Sequence, residues 1–278
     1  MNKIILILAA FTFSTTIQAQ EAADQKFQAG LVIGYGLNNQ KMGTKLLEAD
    51  GLGGDFTIGA NVNISLTETI GFNTGAEFDF GTIKYKASET PVYYYYNDSE
   101  LLTNEAVDPS NLTEGQDLYR VETRKQKPVY ITIPTMFIFR TNFIGYFRYF
   151  GKFGLRNSFL LSNKINDTGV NYDFDLNPVA EELLGTTENG DNSNMTAKNE
   201  MFFFKSAVGA SGGAEWNFSG TTSLVFEFGY YYSFTPTHTS KKEENAFMFS
   251  TGALGTSQTF FSNQSNQGQY MLKVSILF

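Results

Sequence analysis

The stretch DFTIGANVNISL, residues 55–66, alternates polar and apolar side chains from end to end. Its even positions, from Phe56 to Leu66, are all apolar, and its odd positions are polar or glycine. Successive side chains of a β-strand point to opposite faces, so a period of two over this length predicts a strand with one apolar face. Residues 70–81 repeat the pattern after the link 67–69, which predicts an antiparallel neighbour.

The same period of two recurs along the chain and predicts eight strands. They cover residues 27–37, 55–66, 70–81, 129–140, 146–161, 202–218, 224–234 and 269–278. The links after the second, fourth and sixth strands are short, whereas the other four are long and rich in Asn, Asp, Glu, Ser and Thr. These long links cover roughly residues 39–54, 87–120, 163–199 and 236–266. Short turns that alternate with long external loops are typical of an outer-membrane barrel with both termini in the periplasm.

The predicted fold class is therefore all-β: an eight-stranded antiparallel up-and-down transmembrane β-barrel. The chain has 27 Phe and 15 Tyr, which suits a barrel wall facing lipid. A soluble lipocalin-like barrel is the alternative, but it would bury its apolar face inward. The tyrosine run at residues 93–96 could extend strands three and four as a hairpin above the membrane. It lacks the alternation over about ten residues that a spanning strand needs, so eight strands are preferred to ten.

The first residues have the features of a secretory signal peptide. Lys3 is followed by an apolar core at residues 4–13, and the small residue Ala19 ends the segment. We therefore expect residues 1–19 to be a cleaved signal peptide and residues 20–278 to be the barrel domain. The chain has no cysteine, which excludes disulfides and thiolate metal sites. The expected location is the outer membrane of a Gram-negative bacterium.

Charged residues fall on the predicted inner faces of the strands and not on the lipid faces, where a Lys or Arg would cost about 2 to 4 kcal/mol at the bilayer midplane. Residues that lie the same number of positions from the short turns on adjacent strands should be at similar heights in the barrel. This predicts two interacting pairs, Glu227 with Lys273 and Arg148 with Glu215. A packed polar core is the favoured interpretation because an eight-stranded barrel is just wide enough for side chains to fill it, and a proton or ion path is the alternative. The predicted interior charge network comprises Glu77, Asp79, Arg148, Lys152, Arg156, Lys205, Glu215, Glu227 and Lys273, with Asp55 and Arg140 on the same faces.

The sequence has little material for catalysis. His238 is the one histidine, and the triplet His238-Thr239-Ser240 has an acidic residue nearby in Glu243 or Glu244. Outer-membrane lipid A deacylases carry a His-x-Ser pair with an acidic partner. Here the triplet follows a proline in a charged loop expected to be flexible, where three groups are difficult to hold at hydrogen-bond distance. No catalytic site is therefore predicted.

The long acidic third loop offers one candidate metal site. Carboxylates two residues apart in NYDFDLN are spaced as in a calcium loop, but the glycine at the turn position and the bidentate Glu are missing. A solvated acidic loop is favoured, and neither a metal nor a cofactor is expected. The aspartates concerned are Asp167, Asp173, Asp175 and Asp191.

Several strings resemble the PorT-like outer-membrane β-barrel family of Bacteroidetes. VYITIPTMFIF, residues 129–139, looks like its strand with a central proline, and RYFGKFGLRNSFLL, residues 148–161, looks like the Gly-containing strand that follows. FFKSAVGASGGAEWNF, residues 203–218, is similar to the family's Gly-rich strand. The terminal Phe278 resembles the C-terminal signal by which bacterial barrels are recognised for insertion. Family members include secretion and gliding components and proteins without a known role.

These observations favour a non-enzymatic barrel with a structural, accessory (PorT-like) or loop-mediated interaction role. A small passive pore is the alternative, and a lipid-modifying enzyme is a third class. Expected partners are outer-membrane lipid, the barrel-assembly machinery during insertion, and a protein bound through the external loops. The formal net charge of −8 argues against nucleic acid.

Overall fold

The computed structural model describes residues 26–107, 116–172, 187–239, 243–251 and 258–278. These residues form one sheet of fifteen strands, together with two short 3-10 turns at Asn104–Ala106 and Glu243–Asn245. The strands are β1 Phe27–Lys41, β2 Leu47–Ala49, β3 Gly53–Ser65, β4 Ile70–Gly81, β5 Ile83–Ala87, β6 Val92–Asn97, β7 Glu100–Leu101, β8 Gln116–Arg140, β9 Phe147–Tyr172, β10 Thr187–Met195, β11 Phe204–Ser219, β12 Thr222–Ser233, β13 Met248–Thr251, β14 Gln258–Phe261 and β15 Asn266–Leu277. The sheet therefore contains more strands than the eight predicted from the sequence.

The long strands pair in a closed ring. Every pairing in the ring is antiparallel, and the order is β1, β3, β4, β8, β9, β11, β12, β15 and back to β1. The first and last strands close it, with a register from Gly30 opposite Leu277 to Lys41 opposite Asn266. Each strand of the ring pairs with a neighbour on both sides, so the ring has no free edge and forms a barrel.

The barrel wall is apolar outside and polar inside. In β1, burial alternates at every residue: Leu31 is 61% exposed, whereas Gln28 is 6% exposed. We call the exposed apolar side chains of the ring strands the apolar band. It includes Leu31, Ile33, Ile58, Phe78, Ile133, Phe137, Phe153, Phe228 and Leu272. This arrangement is the reverse of a soluble barrel and suits contact with lipid. No helix among the described residues is long and apolar enough to cross a membrane.

Strands β8 and β9 continue far beyond the apolar band. They have 25 and 26 residues, whereas a membrane-spanning strand needs about 9 to 11. Their outer halves pair with each other and with further strands: β5 and β6 join β8, and β10 joins β9. β13 then joins β6, and β14 joins β13. We call the part of the sheet beyond the apolar band the extension.

The extension corrects the prediction that residues 87–120, 163–199 and 236–266 are loops, because the described residues within these ranges include strands β6 to β10, β13 and β14. The tyrosine run explains why these segments order. Tyr94 packs on Tyr119 with ring centroids 5.3 Å apart on one side of β6, and Tyr95 stacks on Phe249 at 5.2 Å on the other side. Because both faces of β6 are buried, four consecutive residues of this strand, Tyr93 to Tyr96, are aromatic instead of alternating with polar residues. The two apolar clusters beside β6 form a core for the extension.

Candidate functional site

The middle of the barrel is crossed by a chain of buried ion pairs. Arg156 of β9 lies 2.7 Å from the Asp79 carboxylate and 3.0 Å from the Glu77 carboxylate, both on β4. The Lys273 ammonium group of β15 donates to both Glu77 oxygens at 2.7 and 2.8 Å. These four side chains come from three strands, and each is less than a tenth exposed. The strand walls are therefore linked across the lumen.

Two more pairs lie towards the short turns. Arg148 Nε lies 2.6 Å from Glu215 Oε2. These two residues form one of the two pairs that we expected from the sequence. The other expected pair, Glu227 with Lys273, does not form an ion pair. These residues are opposite each other in the β12–β15 register, yet Glu227 binds the Lys152 ammonium at 2.6 Å and Lys273 binds Glu77. Side chains in a narrow barrel reach across the lumen as easily as to the next strand.

Two further predicted interior charges, Lys205 and Asp55, lie near the outer rim, whereas Arg140 lies at the short-turn end and donates to the Ser65 hydroxyl at 3.2 Å. The Lys205 ammonium donates to Gln267 Oε1 at 2.7 Å and lies 4.3 Å from the centre of the Tyr130 ring. Asp55 accepts a hydrogen bond of 2.8 Å from Gln269 Nε2. All nine residues of the predicted interior network are thus placed inside the barrel and buried.

Little space remains between these groups. A cavity of about 20 Å³ lies among Asp79, Tyr130, Arg156 and Lys205, and one of about 10 Å³ lies beside Glu227. About one water molecule fits in a space of 10 to 15 Å³. Nearer the short turns, an apolar layer follows, formed by Ile138, Phe150, Val225 and Leu277. The described lumen is therefore filled at several levels.

A second buried network lies in the extension and was not predicted. The Arg124 guanidinium is fully buried and binds Asp167 through two parallel hydrogen bonds of 2.8 Å. Its third nitrogen donates to Glu200 Oε1 at 3.2 Å, and its face lies 5.0 Å from the Tyr94 ring centre. Burial opposes the charge of Arg124, but the carboxylates of Asp167 and Glu200 outweigh it and hold the arginine pKa well above its usual range.

The network continues to the single histidine. Gln126 donates to Glu200 Oε2 at 2.8 Å, and its carbonyl oxygen lies 2.6 Å from His238 Nε2. His238 Nδ1 lies 2.6 Å from the Ser265 hydroxyl. A carbonyl can only accept, so Nε2 carries the proton and Nδ1 accepts from Ser265. Burial, and then the nearby Arg124 charge, lower the pKa of His238 to about 3, which keeps the imidazole neutral.

This position overturns the expectation that His238 lies in a flexible loop. A serine hydroxyl that donates to an imidazole is the arrangement that activates a nucleophile. Here Ser265 and His238 are 0% and 1% exposed, so a substrate has no access to the hydroxyl. The arrangement instead satisfies buried polar groups between β8 and the segment before β15. Ser240 of the predicted triplet lies outside the described residues.

The two calcium candidates that the structure describes, Asp167 and Asp191, do not form a metal site with other described residues. Asp167 is occupied by Arg124, and Asp191 is exposed on β10. Asp173 and Asp175 lie outside the described residues. The signal for the Arg124 network was present in β8, where Arg124 and Gln126 keep the inward parity of the predicted strand below them.

Comparison with known proteins places this architecture in a family. Residues 18–239 match the profile of the family described as "Outer membrane protein beta-barrel domain". The chain belongs to this family. It is thus an outer-membrane β-barrel protein, and its location is the outer membrane of Gram-negative bacteria.

The solved structures that match this chain are distant in sequence. Ail, the attachment invasion locus protein of Yersinia pestis, is 12% identical with a TM-score of 0.32, and the match covers 91% of this chain and 100% of Ail. Neisserial surface protein A is 9% identical with a TM-score of 0.31, covering 91% and 98%. The outer membrane protease OmpT from Escherichia coli is 9% identical with a TM-score of 0.31, covering 95% and 99%. No curated protein sequence matches this chain.

Proposed function

We propose that this protein is a closed outer-membrane barrel that carries a folded extension at the cell surface and has a non-enzymatic structural or protein-binding role, such as a PorT-like accessory protein. In this proposal the eight strands of the closed ring cross the membrane, and both termini are periplasmic. The observation that carries it is the combination of a lumen filled by ion pairs with an extension that has its own apolar core.

The filled lumen favours an anchor over a passive pore. A permeating ion would have to separate Arg156 from Asp79 or Lys273 from Glu77, and each separation leaves a buried charge without its partner. Breaking a buried ion pair costs about 3 to 5 kcal/mol. The apolar layer near the short turns adds a second barrier.

The positions of the links support the proposed orientation. The chain passes between strands in few residues at one end of the ring, as at residues 66–69 and 220–221, and the extension lies at the other end. β1 begins and β15 ends at the short-turn end, since Phe27 pairs with Ile64 and Leu277 pairs with Gly30. Outer-membrane barrels have short periplasmic turns and longer extracellular segments.

The edges of the extension support a binding role. The path of hydrogen-bonded strands ends at β10 on one side and at β14 on the other. An edge strand has unpaired backbone groups and can accept a strand from a partner. β10 carries exposed polar residues, which keeps such an edge soluble until a partner binds.

Conductance in a planar bilayer tests the closed lumen. We expect no steady current steps from the wild-type protein. The triple variant Glu77→Ala, Arg156→Ala and Phe150→Ala removes one acid and one base from the middle of the lumen and the largest side chain of the apolar layer, at no change in net charge, and is expected to give small steps. Steady single-channel steps from the wild type would instead support the passive pore.

Cysteine labelling tests the orientation, because the natural chain has no cysteine. Asp191→Cys places a thiol on exposed β10, and Glu68→Cys places one in an exposed short turn. A membrane-impermeant maleimide should label Asp191→Cys on intact cells and Glu68→Cys only after lysis. The opposite pattern would reverse the orientation. A thiol-reactive cross-linker on the same two variants tests binding: a protein adduct formed through residue 191 but not 68 supports a surface partner.

A further inference from the structure

A group of lysine side chains faces outward on three neighbouring strands of the extension. We call Lys84 of β5, Lys125 and Lys127 of β8, and Lys164 of β9 the lysine stripe. Lys84 lies directly opposite Lys125, and Lys127 lies directly opposite Lys164. Directly opposed residues of antiparallel strands point to the same face, so the four ammonium groups share one outward surface.

The stripe begins where the apolar band ends. On the same face of the sheet, the pair that follows Lys127 and Lys164 is Val129 opposite Ser162, and Val129 is also opposite the exposed Phe80 of the band. Two residues of a strand span about 6.6 Å. The polar layer on each side of a bilayer's hydrocarbon core is about 5 to 8 Å thick. Lys127 and Lys164 therefore lie at the depth of lipid headgroups, with Lys84 and Lys125 one step farther out.

The stripe lysines form no ion pair with a carboxylate in the part of the chain that the structure describes, where none of the four ammonium groups has a carboxylate within 4.0 Å. The one hydrogen bond found is a long one, 3.5 Å from Lys164 to the Asn194 carbonyl. The next lysine along β5, Lys86, has Glu48 at 3.9 Å. Like charges directly opposite on a sheet are destabilising, and an external anion would relieve that repulsion.

A cavity of about 220 Å³ is lined by Asn163, the residue that precedes Lys164 of the stripe in β9, and by Lys198. It forms because β9 changes partner: Phe159 pairs with β11 and Ile165 pairs with β10, which leaves the residues between them without a strand on that side. Its walls combine Leu160 and the exposed Phe203 with the polar Asn163. A space that is apolar on one side and polar on the other, at the membrane surface, suits part of an amphipathic molecule.

We propose that the lysine stripe binds the phosphate groups of a phosphorylated glycolipid of the outer leaflet, with the adjacent cavity receiving part of its sugar or chain. This inference rests on the proposed orientation, which places the extension at the outer face. The chemistry is that of ammonium groups on phosphate, and the depth of the stripe selects a lipid headgroup as the source.

Lipid titration in uncharged detergent tests the proposal. The probe is a bis-phosphorylated glucosamine-disaccharide lipid, compared with the same lipid after dephosphorylation, and binding is measured by native mass spectrometry. The variant Lys127→Gln with Lys164→Gln removes half of the stripe. The control Lys26→Gln with Lys45→Gln removes the same charge at two exposed lysines outside it. Heat-modifiable migration on gels verifies that both variants are folded.

We expect the phosphorylated lipid to bind at least ten-fold more tightly than the dephosphorylated lipid. A basic residue near an anionic membrane surface contributes about 5-fold in affinity, so the stripe variant, which lacks two lysines, should bind about 25-fold more weakly and the control within two-fold. If the stripe variant does not fold, Lys84→Gln with Lys125→Gln takes its place.

Equal binding of the two lipids, or equal loss in the stripe and control variants, would overturn the proposal. Complete displacement of the lipid by 10 mM inorganic phosphate would assign the stripe to free phosphate and also overturn it. The assay does not depend on orientation in the cell, whereas the cysteine labelling above does. A failure of one is therefore distinguishable from a failure of the other.

Discussion

Replacing Arg124 by methionine is the most direct test of the network that holds the extension together. Methionine keeps most of the volume of the arginine stem but removes the charge. Asp167 then loses both of its 2.8 Å hydrogen bonds, and Glu200 loses one of 3.2 Å. Breaking a buried pair leaves an uncompensated charge and costs about 3 to 5 kcal/mol. We expect the extension to lose about 4 kcal/mol.

The loss should be local, because the closed ring of strands does not depend on Arg124. Hydrogen exchange measured by mass spectrometry separates the two regions. A loss of about 4 kcal/mol corresponds to about a 1,000-fold rise in the opening equilibrium, so peptides from β6 should exchange about 1,000-fold faster. Peptides from β12, which lies in the ring, should be unchanged. The matched double variant Arg124→Met with Asp167→Asn removes both charges of the bidentate pair.

The double variant should recover about 2 kcal/mol, since coupled neighbours typically show interaction energies of about 0.5 to 3 kcal/mol. Exchange in β6 that rises less than ten-fold in Arg124→Met would refute the role given to the network. An equal rise in β6 and β12 would refute the separation between the extension and the ring.

Three further predictions concern other positions. The pKa of His238 is about 3 when folded and about 6.5 when unfolded, so the unfolded state takes up the proton first as the pH falls and stability decreases from about pH 6.5 towards pH 3. Urea unfolding should show about 3 kcal/mol of this loss by pH 4.5, and His238→Gln should remove that part of the pH dependence; an unchanged profile contradicts the buried neutral imidazole. Gly213→Val should destabilise the barrel by about 3 kcal/mol, measured as refolding yield in detergent, because a Cβ at 213 would lie 1.9 Å from the Phe226 carbonyl oxygen, whereas Gly151→Ala, with nothing nearer than 3.9 Å, should refold normally. Deleting Phe278 should reduce insertion in cells but not refolding in detergent; a loss in both would assign the residue to the fold and not to the insertion signal.

The residues that face the barrel interior could be predicted from the sequence because the alternation of polar and apolar residues is visible within each strand. In β3 and β12, the apolar and polar faces alternate without a break, so the side of each charge follows from parity alone. Parity does not specify which charges meet. Glu227 binds Lys152, 75 residues away, across the lumen, and this contact depends on the curvature of the closed ring.

The inward-facing residues of the extension could not be predicted from alternation in the same way, and Asp167 is an example. In the barrel part of β9, before Leu161, even-numbered residues face inward, as Arg156 and Ser158 do. Val129 pairs with Ser162 and Tyr130 pairs with Leu160, so Leu161 is an extra residue in a β-bulge. Beyond it, odd-numbered residues face inward. A parity carried through from the barrel would have placed Asp167 outside and Lys164 inside.

The same bulge connects the two parts of the molecule. Below it, the outward face of β9 is apolar and the inward face is charged, whereas above it the outward face carries Lys164 and the inward face carries Ile165 and Asp167. One extra residue is sufficient for this exchange because a shift of one position in a strand moves every side chain to the other face. The bulge coincides with the end of the apolar band, where the surroundings of the outer face change from hydrocarbon to headgroups. The bulge at Leu161 thus places Lys164 in the lysine stripe and Asp167 beside Arg124, whose own inward direction follows from the unbroken alternation of β8.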